Sequence, residues 1–429
     1  MQSKEALQTR YSDFQKSRRS LREKASGLVA EKTARSLTTI SAFVLKRGLT
    51  TIEQLSLSIM NRQRRQRDLP PIGSGVEGAT VSQQILSPER KRLLEKIMSN
   101  INLEQIADIG EIFLRRHPWL REKFGLPPLG RQQRELMETE FGITPPTVLI
   151  IDLTQRCNLS EELTCPHCFN DSRLTGTNIE TETLKRLVSQ CVFMGTHAIM
   201  FSGGEPFLLA DSISQTASEF PAMLFFSFTN GLVLAEQPEI AKKLPGNLIP
   251  IVNITPAVYS KETTGTIAAQ NRIEKAFKNL NNHIFFSSLA VERGMLNNPE
   301  KVNDILKDSN CVSLLLLPYM PVGKDSDPQL MVPENKTAVL GEFGRQITTV
   351  PLVLTEELLT EGSGFRCPAA SRELGHALPS EGIIKACPFS NLGIPFDVNG
   401  ELGLVTAWSK MKDLTTTFKI GCAMYETTR

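Results

Sequence analysis

Short apolar runs recur through the middle of this 429-residue chain, at 148–153, 198–201, 223–228, 249–254, 284–290 and 312–317. Because nearly every position in them is apolar, these runs predict strands that are covered on both faces. Segments with helical spacing fit between the runs, as where Leu184, Leu187, Val188 and Cys191 share one face. Six strand–helix units in series predict an α/β fold with a parallel sheet and right-handed crossovers.

The chain before the first run has a different pattern. Residues 1–140 show apolar side chains at helical spacing, such as Ile52, Leu55 and Ile59, and no strand-like alternation. Leu103 and Ile106 continue this spacing nearer the first run. We therefore expect a helical N-terminal domain over 1–140.

Positive charge is concentrated in this region. Residues 1–70 hold 15 Lys and Arg against 6 Asp and Glu, so they carry +9 and the remainder −7 within a net charge of +2. The densest group is Arg62, Arg64, Arg65 and Arg67. It is either a solvated face or a surface for an anionic partner, such as lipid headgroups or an acidic peptide. Aromatic residues are almost absent beside these arginines, so we expect no nucleic-acid partner.

The sequence predicts neither a membrane-spanning helix nor a secretion signal. No run reaches 18 apolar residues, and the first residues are polar and charged. In a long chain without an export signal, eight cysteines favour cluster or catalytic use over disulfides. We therefore expect a cytoplasmic protein, with a peripheral membrane contact through the basic helices as a further expectation.

Candidate chemistry follows the first two predicted strands. Cys157, Cys165 and Cys168 come after the first run, and Ser202-Gly203-Gly204-Glu205-Pro206 ends the second. The carboxyl ends of parallel strands lie at one edge, where α/β barrels have their active sites. Thiolates bind iron–sulfur clusters, and three of them leave one iron of a [4Fe–4S] cluster open to an external ligand.

Zinc or a redox pair is the alternative interpretation of the cysteine pair at Cys165 and Cys168. A structural zinc site requires a second Cys/His pair nearby, and none lies between Cys168 and Cys191. The spacing together with the placement after strands therefore favours an iron–sulfur cluster.

These residues resemble the radical S-adenosylmethionine (SAM) superfamily. The stretches Thr154–Leu159 and Cys165–Phe169 look like its cluster loop, although the spacing is C-x7-C-x2-C and not C-x3-C-x2-C. Ser160-Glu161-Glu162-Leu163 is placed like an insertion in that loop. The turn at Gly203–Pro206 matches the motif that holds the methionine amino group of SAM, and Thr229-Asn230-Gly231 resembles the turn after the third strand.

The resemblance implies a partial (β/α)6 TIM-like barrel over 141–335, in which Cys157, Cys165 and Cys168 are the ligands of a [4Fe–4S] cluster. It also implies that SAM is bound by residues of the cluster loop and of the turns after the second and third strands. These residues are Phe169, Ser202, Gly203, Gly204, Glu205, Pro206, Thr229 and Asn230.

A second cysteine pattern lies near the C-terminal end. Fourteen residues separate Cys367 from Gly382 and four separate Gly382 from Cys387. This resembles the C-x9–15-G-x4-C pattern of the SPASM or twitch auxiliary-cluster region. Tyr425 stands where that pattern has a last Cys after Cys422. The resemblance implies a small auxiliary-cluster domain over 336–429, with a second [4Fe–4S] cluster on Cys367, Cys387 and Cys422. Three unrelated cysteines are the alternative.

The resemblance implies reductive cleavage of SAM to a 5′-deoxyadenosyl radical, which abstracts hydrogen from an unactivated C–H bond. Oxidation or bond formation on a peptide, protein or natural product would follow, with flavodoxin or ferredoxin as the reductant. The alternative substrate is a hydrophobic, membrane-derived small molecule such as a lipid or tetrapyrrole. A non-catalytic nucleic-acid-binding protein is a third hypothesis, which the SAM motifs disfavour.

Overall fold

The computed structural model describes most of the chain from residue 131 onward and two N-terminal helical segments. The described residues are 4–25, 88–101, 105, 109, 131–159, 168, 175–255, 258, 264–321, 327–332, 336–355, 374–388 and 392–411. Elements are numbered in chain order within these residues.

Ten strands within the described residues form a single sheet. Their bounds are β1 (Val148–Thr154), β2 (Ala198–Gly203), β3 (Leu224–Thr229), β4 (Leu248–Asn253), β5 (Phe286–Val291), β6 (Ser313–Pro318), β7 (Leu352–Thr355), β8 (Leu374–Leu378), β9 (Ile383–Lys385) and β10 (Ile394–Pro395). The order across the sheet is β10-β9-β8-β1-β2-β3-β4-β5-β6-β7.

Helices precede the sheet and connect its strands. They are α1 (Lys4–Ala25), α2 (Pro88–Met98), α3 (Arg131–Phe141), α4 (Thr181–Met194), α5 (Ala210–Glu219), α6 (Leu232–Glu236), α7 (Pro238–Lys242), α8 (Thr264–Asn279), α9 (Pro299–Leu306), α10 (Lys336–Gln346) and α11 (Gly403–Ser409). None of these helices has a stretch of the length and hydropathy that would cross a bilayer.

The predicted α/β fold is confirmed. All six predicted strands are present, and β1 to β6 pair in parallel in chain order. The prediction missed β7, which is only four residues long and extends the parallel series beside β6. Within the described residues the sheet ends at β10 and β7 and does not close on itself, as expected for a partial barrel.

The two faces of the sheet differ in what covers them. On β1, Leu149, Ile151 and Leu153 belong to the main core, which the connecting helices complete. The predicted apolar face of α4 is confirmed, because Leu184 and Leu187 are fully buried in this core. The residues that alternate with them, such as Ile150 and Asp152 on β1, lie on the opposite face, which is called the inner face below.

The described part of the N-terminal region is helical, as predicted, and contacts the sheet directly. Ile97 and Ile101 pack with Ile249 and Ile284, at the amino ends of β4 and β5, in a second apolar cluster. Ile249 follows a residue of the main core on β4, so this cluster lies on the inner face. The side-chain oxygen of Gln105 accepts a hydrogen bond of 2.6 Å from the backbone N–H of Ile284.

The C-terminal region continues the sheet. Strand β8 pairs in parallel with β1 on the side away from β2, and β9 pairs antiparallel with β8. Gly382, with a φ of +63°, turns the chain between β8 and β9. Gln190 of α4 accepts hydrogen bonds of 3.0 and 3.4 Å from the backbone N–H groups of Leu404 and Val405, at the start of α11. The domain limits at 140 and 335 stay predictions.

Candidate functional site

The predicted site residues that the structure describes meet at one edge of the sheet. Cys157 follows β1, Gly203 ends β2 and Thr229 ends β3, and these three strands are parallel neighbours. Cys168 is also described. Cys165, Phe169 and the insertion at 160–163 lie outside the described residues.

The glycine turn after β2 is docked on the segment that leads into Cys157. The backbone N–H of Gly204 donates to the carbonyl of Thr154 at 2.7 Å, and that of Glu205 donates to the carbonyl of Arg156 at 2.8 Å. Gly203 has a φ of +114°, and a Cβ there would collide with the Thr154 carbonyl. A Cβ at Gly204 would collide with the Arg156 carbonyl. Both positions therefore need glycine.

Glu205 holds the turns after β2 and β3 together. Its side chain is fully buried. One carboxylate oxygen accepts hydrogen bonds from the Phe207 backbone N–H at 3.0 Å and the Thr229 hydroxyl at 2.8 Å. The other oxygen accepts from the Asn230 backbone N–H at 2.7 Å. Both carboxylate oxygens are thus used within the protein, so Glu205 positions neighbouring residues.

Burial in this site raises the pKa of Glu205 to about 7. The cause is desolvation, which disfavours the charged carboxylate. The hydrogen bonds from Asn230, Thr229 and Phe207 oppose the increase, as does the positive charge of Arg272. Desolvation outweighs these contributions.

Asn230 links the turn after β3 to the loop that begins after β1 and carries Cys157, which is called the cysteine loop below. Its side-chain nitrogen donates to the Asn158 side-chain oxygen at 2.9 Å and to the Cys157 sulfur at 3.7 Å. Its side-chain oxygen accepts from the Leu232 backbone N–H at 2.9 Å. All hydrogen-bonding groups of this amide are therefore used.

The thiols of Cys157 and Cys168 fit a site for an iron–sulfur cluster. Both are half-buried, and neither is in a disulfide. Burial raises the pKa of Cys157, the backbone of Leu159 and the Asn230 amide oppose the increase, and the negative charges of Glu205 and Cys168 add to it. A desolvated thiol such as that of Cys157 is a poor free thiolate but suits a cationic metal centre. Cys165 would complete the predicted ligand set.

The other cysteines divide into core residues and the predicted auxiliary site. Cys191 and Cys311 are fully buried, as expected for core thiols, and burial raises the pKa of Cys311 to about 12. Cys387 lies two residues after β9 and is half-buried. Cys367 and Cys422 lie outside the described residues, so the auxiliary cluster stays a prediction.

Sequence reasoning missed a hydrogen-bonded pair of side chains, His376 and Asp152, on the inner face of the sheet. His376 of β8 is buried, and its Nε2 lies 2.8 Å from the Asp152 carboxylate of β1. The two residues are 224 positions apart in sequence. The one signal in the sequence is Asp152 itself, an acidic residue within an apolar run.

Comparison with known proteins agrees with this site. Residues 151–288 match the sequence model of the Radical SAM superfamily. The chain carries a radical SAM domain. The superfamily uses a [4Fe–4S] cluster and SAM. The matched residues include the cysteine loop, the glycine turn and the turn after β3.

Curated relatives are similar over about a quarter of this chain. GTP 3′,8-cyclase of Synechococcus sp. is 33% identical over 107 residues, which is 24% of this chain and 30% of that protein. PqqA peptide cyclase of Rhodopseudomonas palustris is 30% identical over 103 residues, 24% of this chain and 26% of that protein. The chain therefore spans less than a third of the length of these relatives.

The similarity in fold to solved structures covers more of the chain than the radical SAM domain at residues 151–288. SuiB of Streptococcus suis bound to the precursor peptide SuiA has a TM-score of 0.52 at 14% identity, over 73% of this chain and 79% of that one. SuiB bound to SAM has the same TM-score and identity, over 80% and 90%. Since the covered share exceeds the radical SAM domain, the shared fold includes elements outside it.

Proposed function

We propose that the chain is a radical SAM enzyme that cleaves SAM reductively and abstracts a hydrogen atom from an unactivated C–H bond of its substrate. The docking of the glycine turn on the segment before Cys157 carries this proposal. Two backbone hydrogen bonds, of 2.7 and 2.8 Å, make the turn and the cysteine loop one unit. Reductive cleavage of SAM needs such a unit, because the cysteines of the loop would hold the cluster and the turn would hold the methionine end of SAM beside it.

The residues of this chain would hold and orient the cofactors. Cys157, Cys165 and Cys168 would bind the cluster, and the backbone of Gly203 and Gly204 would lie against the methionine end of SAM. A cluster held by these cysteines would supply the electron for reductive cleavage of SAM to the 5′-deoxyadenosyl radical. The protein contributes position and exclusion of water.

The inner face of the sheet supports exclusion of water. Met200 of β2 and Phe226 of β3 are in register with Ile150 of β1 on this face, and all three are partly buried. Asp152, two residues after Ile150, lies on the same face with its partner His376. A radical formed at the carboxyl ends of these strands would therefore lie next to a mainly apolar surface, in which Asp152 and His376 are the polar pair named here.

We propose a peptide as the substrate class, with oxidation or bond formation as the outcome. PqqA peptide cyclase is a sequence relative, and SuiB has been solved with its precursor peptide SuiA. GTP 3′,8-cyclase is a relative of similar identity, so a nucleotide is the second candidate. An auxiliary cluster on Cys367, Cys387 and Cys422 would take up the electron left on the substrate. Flavodoxin or ferredoxin would be the reductant.

The cofactor chemistry is tested with anaerobically reconstituted protein, SAM and dithionite. We expect 5′-deoxyadenosine and methionine, even without substrate. The Cys157/Cys165/Cys168→Ala variant should form neither product, because no open iron would remain. Cys311→Ala is the matched control, since this buried cysteine lies in the main core. Wild-type rates of SAM cleavage in the triple variant would overturn the proposal.

The substrate class is tested by the rate of 5′-deoxyadenosine formation. Short peptides encoded beside the gene, GTP and anionic vesicles are each added to the same protein. We expect stimulation and a mass change with a peptide alone. If GTP alone increased the rate of 5′-deoxyadenosine formation, the proposed substrate class would be a nucleotide and not a peptide. Flotation with anionic vesicles would favour the membrane-derived substrate of the sequence analysis.

A further inference from the structure

The side-chain amide of Asn230 is fixed in one orientation against the predicted cluster ligands. Its oxygen accepts from the Leu232 backbone N–H at 2.9 Å, which requires that the nitrogen face the other way. That nitrogen donates to Asn158 at 2.9 Å and lies 3.7 Å from the Cys157 sulfur. Because sulfur is larger than oxygen, this separation corresponds to a hydrogen bond.

The backbone of Asn230 is anchored as firmly as its side chain. Its N–H donates to the buried Glu205 carboxylate at 2.7 Å, and the residue is 8% exposed. Thr229, one residue earlier, donates its hydroxyl to the other oxygen of the same carboxylate. The amide therefore has little freedom to turn away from the sulfur.

We propose that Asn230 raises the reduction potential of a cluster bound through Cys157, by donating a side-chain N–H to the cysteine sulfur. This inference rests on the proposed function. Hydrogen bonds to cluster sulfurs are one of the means by which a protein sets the potential. Reduction adds one negative charge to the cluster, so a donor near a ligand sulfur stabilises the reduced state more than the oxidised state.

Asn230 connects the glycine turn after β2 to the cysteine ligand Cys157. Glu205, in the glycine turn, positions Asn230, and Asn230 acts on the cysteine ligand across the edge of the sheet. The turn expected to hold SAM is thus connected to a ligand of the predicted cluster, through the Glu205 carboxylate and the Asn230 amide. Asn230 is a positioning and tuning residue here, since no contact with substrate is assigned to it.

The test is an anaerobic redox titration of the reconstituted protein, followed by the electron paramagnetic resonance signal of the reduced cluster. Asn230→Asp keeps an oxygen for the Leu232 N–H but replaces the donor near sulfur with a carboxylate oxygen. We expect the ratio of reduced to oxidised cluster at a fixed potential to fall about tenfold, which is about 59 mV for one electron. Asn230→Ser, too short to reach the sulfur, should shift the potential in the same direction by less.

Asn253→Asp is the matched control. Asn253 ends β4, beside β3, and its side-chain oxygen accepts from the Thr255 backbone N–H at 3.0 Å in the same kind of turn. The change adds the same charge at the same edge of the sheet. We expect less than half of the Asn230→Asp shift. Equal shifts in these two variants would show a general charge effect and overturn the role of the Asn230 hydrogen bond.

The outcomes separate this inference from the proposed function. A wild-type protein that assembles no [4Fe–4S] cluster would refute the proposed function, and the inference with it. A wild-type cluster whose potential is unchanged in both Asn230 variants, at equal iron content, would refute the inference alone. If Asn230→Asp cannot hold a cluster, the potential of Asn230→Ser decides.

Discussion

Replacing Glu205 with glutamine should change how the stability of the protein depends on pH. The carboxyl group is fully buried, and its pKa is raised to about 7 by desolvation. Below about pH 4.5 the side chain is neutral in both folded and unfolded states, and the pKa difference contributes nothing. As pH rises from there to about 7, the unfolded chain loses its proton first, so the folded state becomes less favourable.

The size of this effect follows from the difference between the two pKa values. Each pH unit between them is worth about 1.4 kcal/mol, so the wild-type protein loses about 3 kcal/mol of stability by pH 7 to 8. Glutamine has no charge to desolvate and lacks this loss. Its oxygen can still accept from Phe207 and Thr229, but its NH2 group would face the Asn230 backbone N–H. An unsatisfied buried donor costs about 1–3 kcal/mol at every pH.

The two effects predict a crossing of the stability curves. At pH 5, where wild type has lost about 0.7 kcal/mol, the Glu205→Gln protein should be less stable by up to about 2 kcal/mol, and at pH 8 the difference should vanish or reverse. Urea denaturation followed by circular dichroism, at pH values from 5 to 8, measures both proteins. Glu239→Gln, at an exposed glutamate of α7, controls for the loss of a surface carboxylate. Parallel curves for wild type and Glu205→Gln would refute the reasoning, because the three donors would then hold the carboxylate ionised as easily as water does.

Three further changes test other parts of the structure. Gly204→Ala should destabilise the protein by about 1–3 kcal/mol and abolish SAM cleavage, since the added methyl group collides with the Arg156 carbonyl. The control Gly341→Ala should do neither, because the space around its Cβ is open. Cys387→Ala should lower the iron content of reconstituted protein from about eight to about four atoms per chain, and an unchanged count would remove the auxiliary cluster. Asp152→Ala should cost about 1–3 kcal/mol in the free energy of unfolding, because buried His376 loses its partner, and the double variant with His376→Ala should cost little more than the single one.

The strands were predictable because their apolar runs are continuous and helical segments separate them. The run Leu314–Leu317 favours a buried strand by its short length, and it lies in β6. Strand β7 has a weaker signal, because its apolar run, Leu352–Leu354, has only three residues and follows Pro351. Strand β8 is Leu-Gly-His-Ala-Leu, in which Gly375 and His376 hide the apolar pattern. Gly375 is required by packing, since a Cβ there would approach the Trp408 ring to 2.6 Å. That contact joins residues far apart in sequence, so local reasoning could not find it.

For the candidate site, the sequence predicted the residues but not their connections. Gly203 and Glu205 stand out as a motif, and their place after an apolar run predicts the edge of the sheet where they lie. The bond from Asn230 to Cys157 spans 73 positions in sequence. It depends on a turn of the chain after β3, which no spacing rule encodes.

Strand β1 explains how two distant cysteine patterns can belong to one structure. It leads into Cys157 at its carboxyl end and pairs with β8 at four positions, from Val148 with Leu374 to Ile151 with Ala377. Strand β8 continues through β9 to Cys387, so both cysteines are attached to adjacent parts of one sheet. A hydrogen-bonded register leaves far less freedom than a linker between separate domains. If Cys387 binds a cluster, its position relative to Cys157 is therefore set by the sheet, and the Asp152–His376 pair strengthens that connection on the inner face.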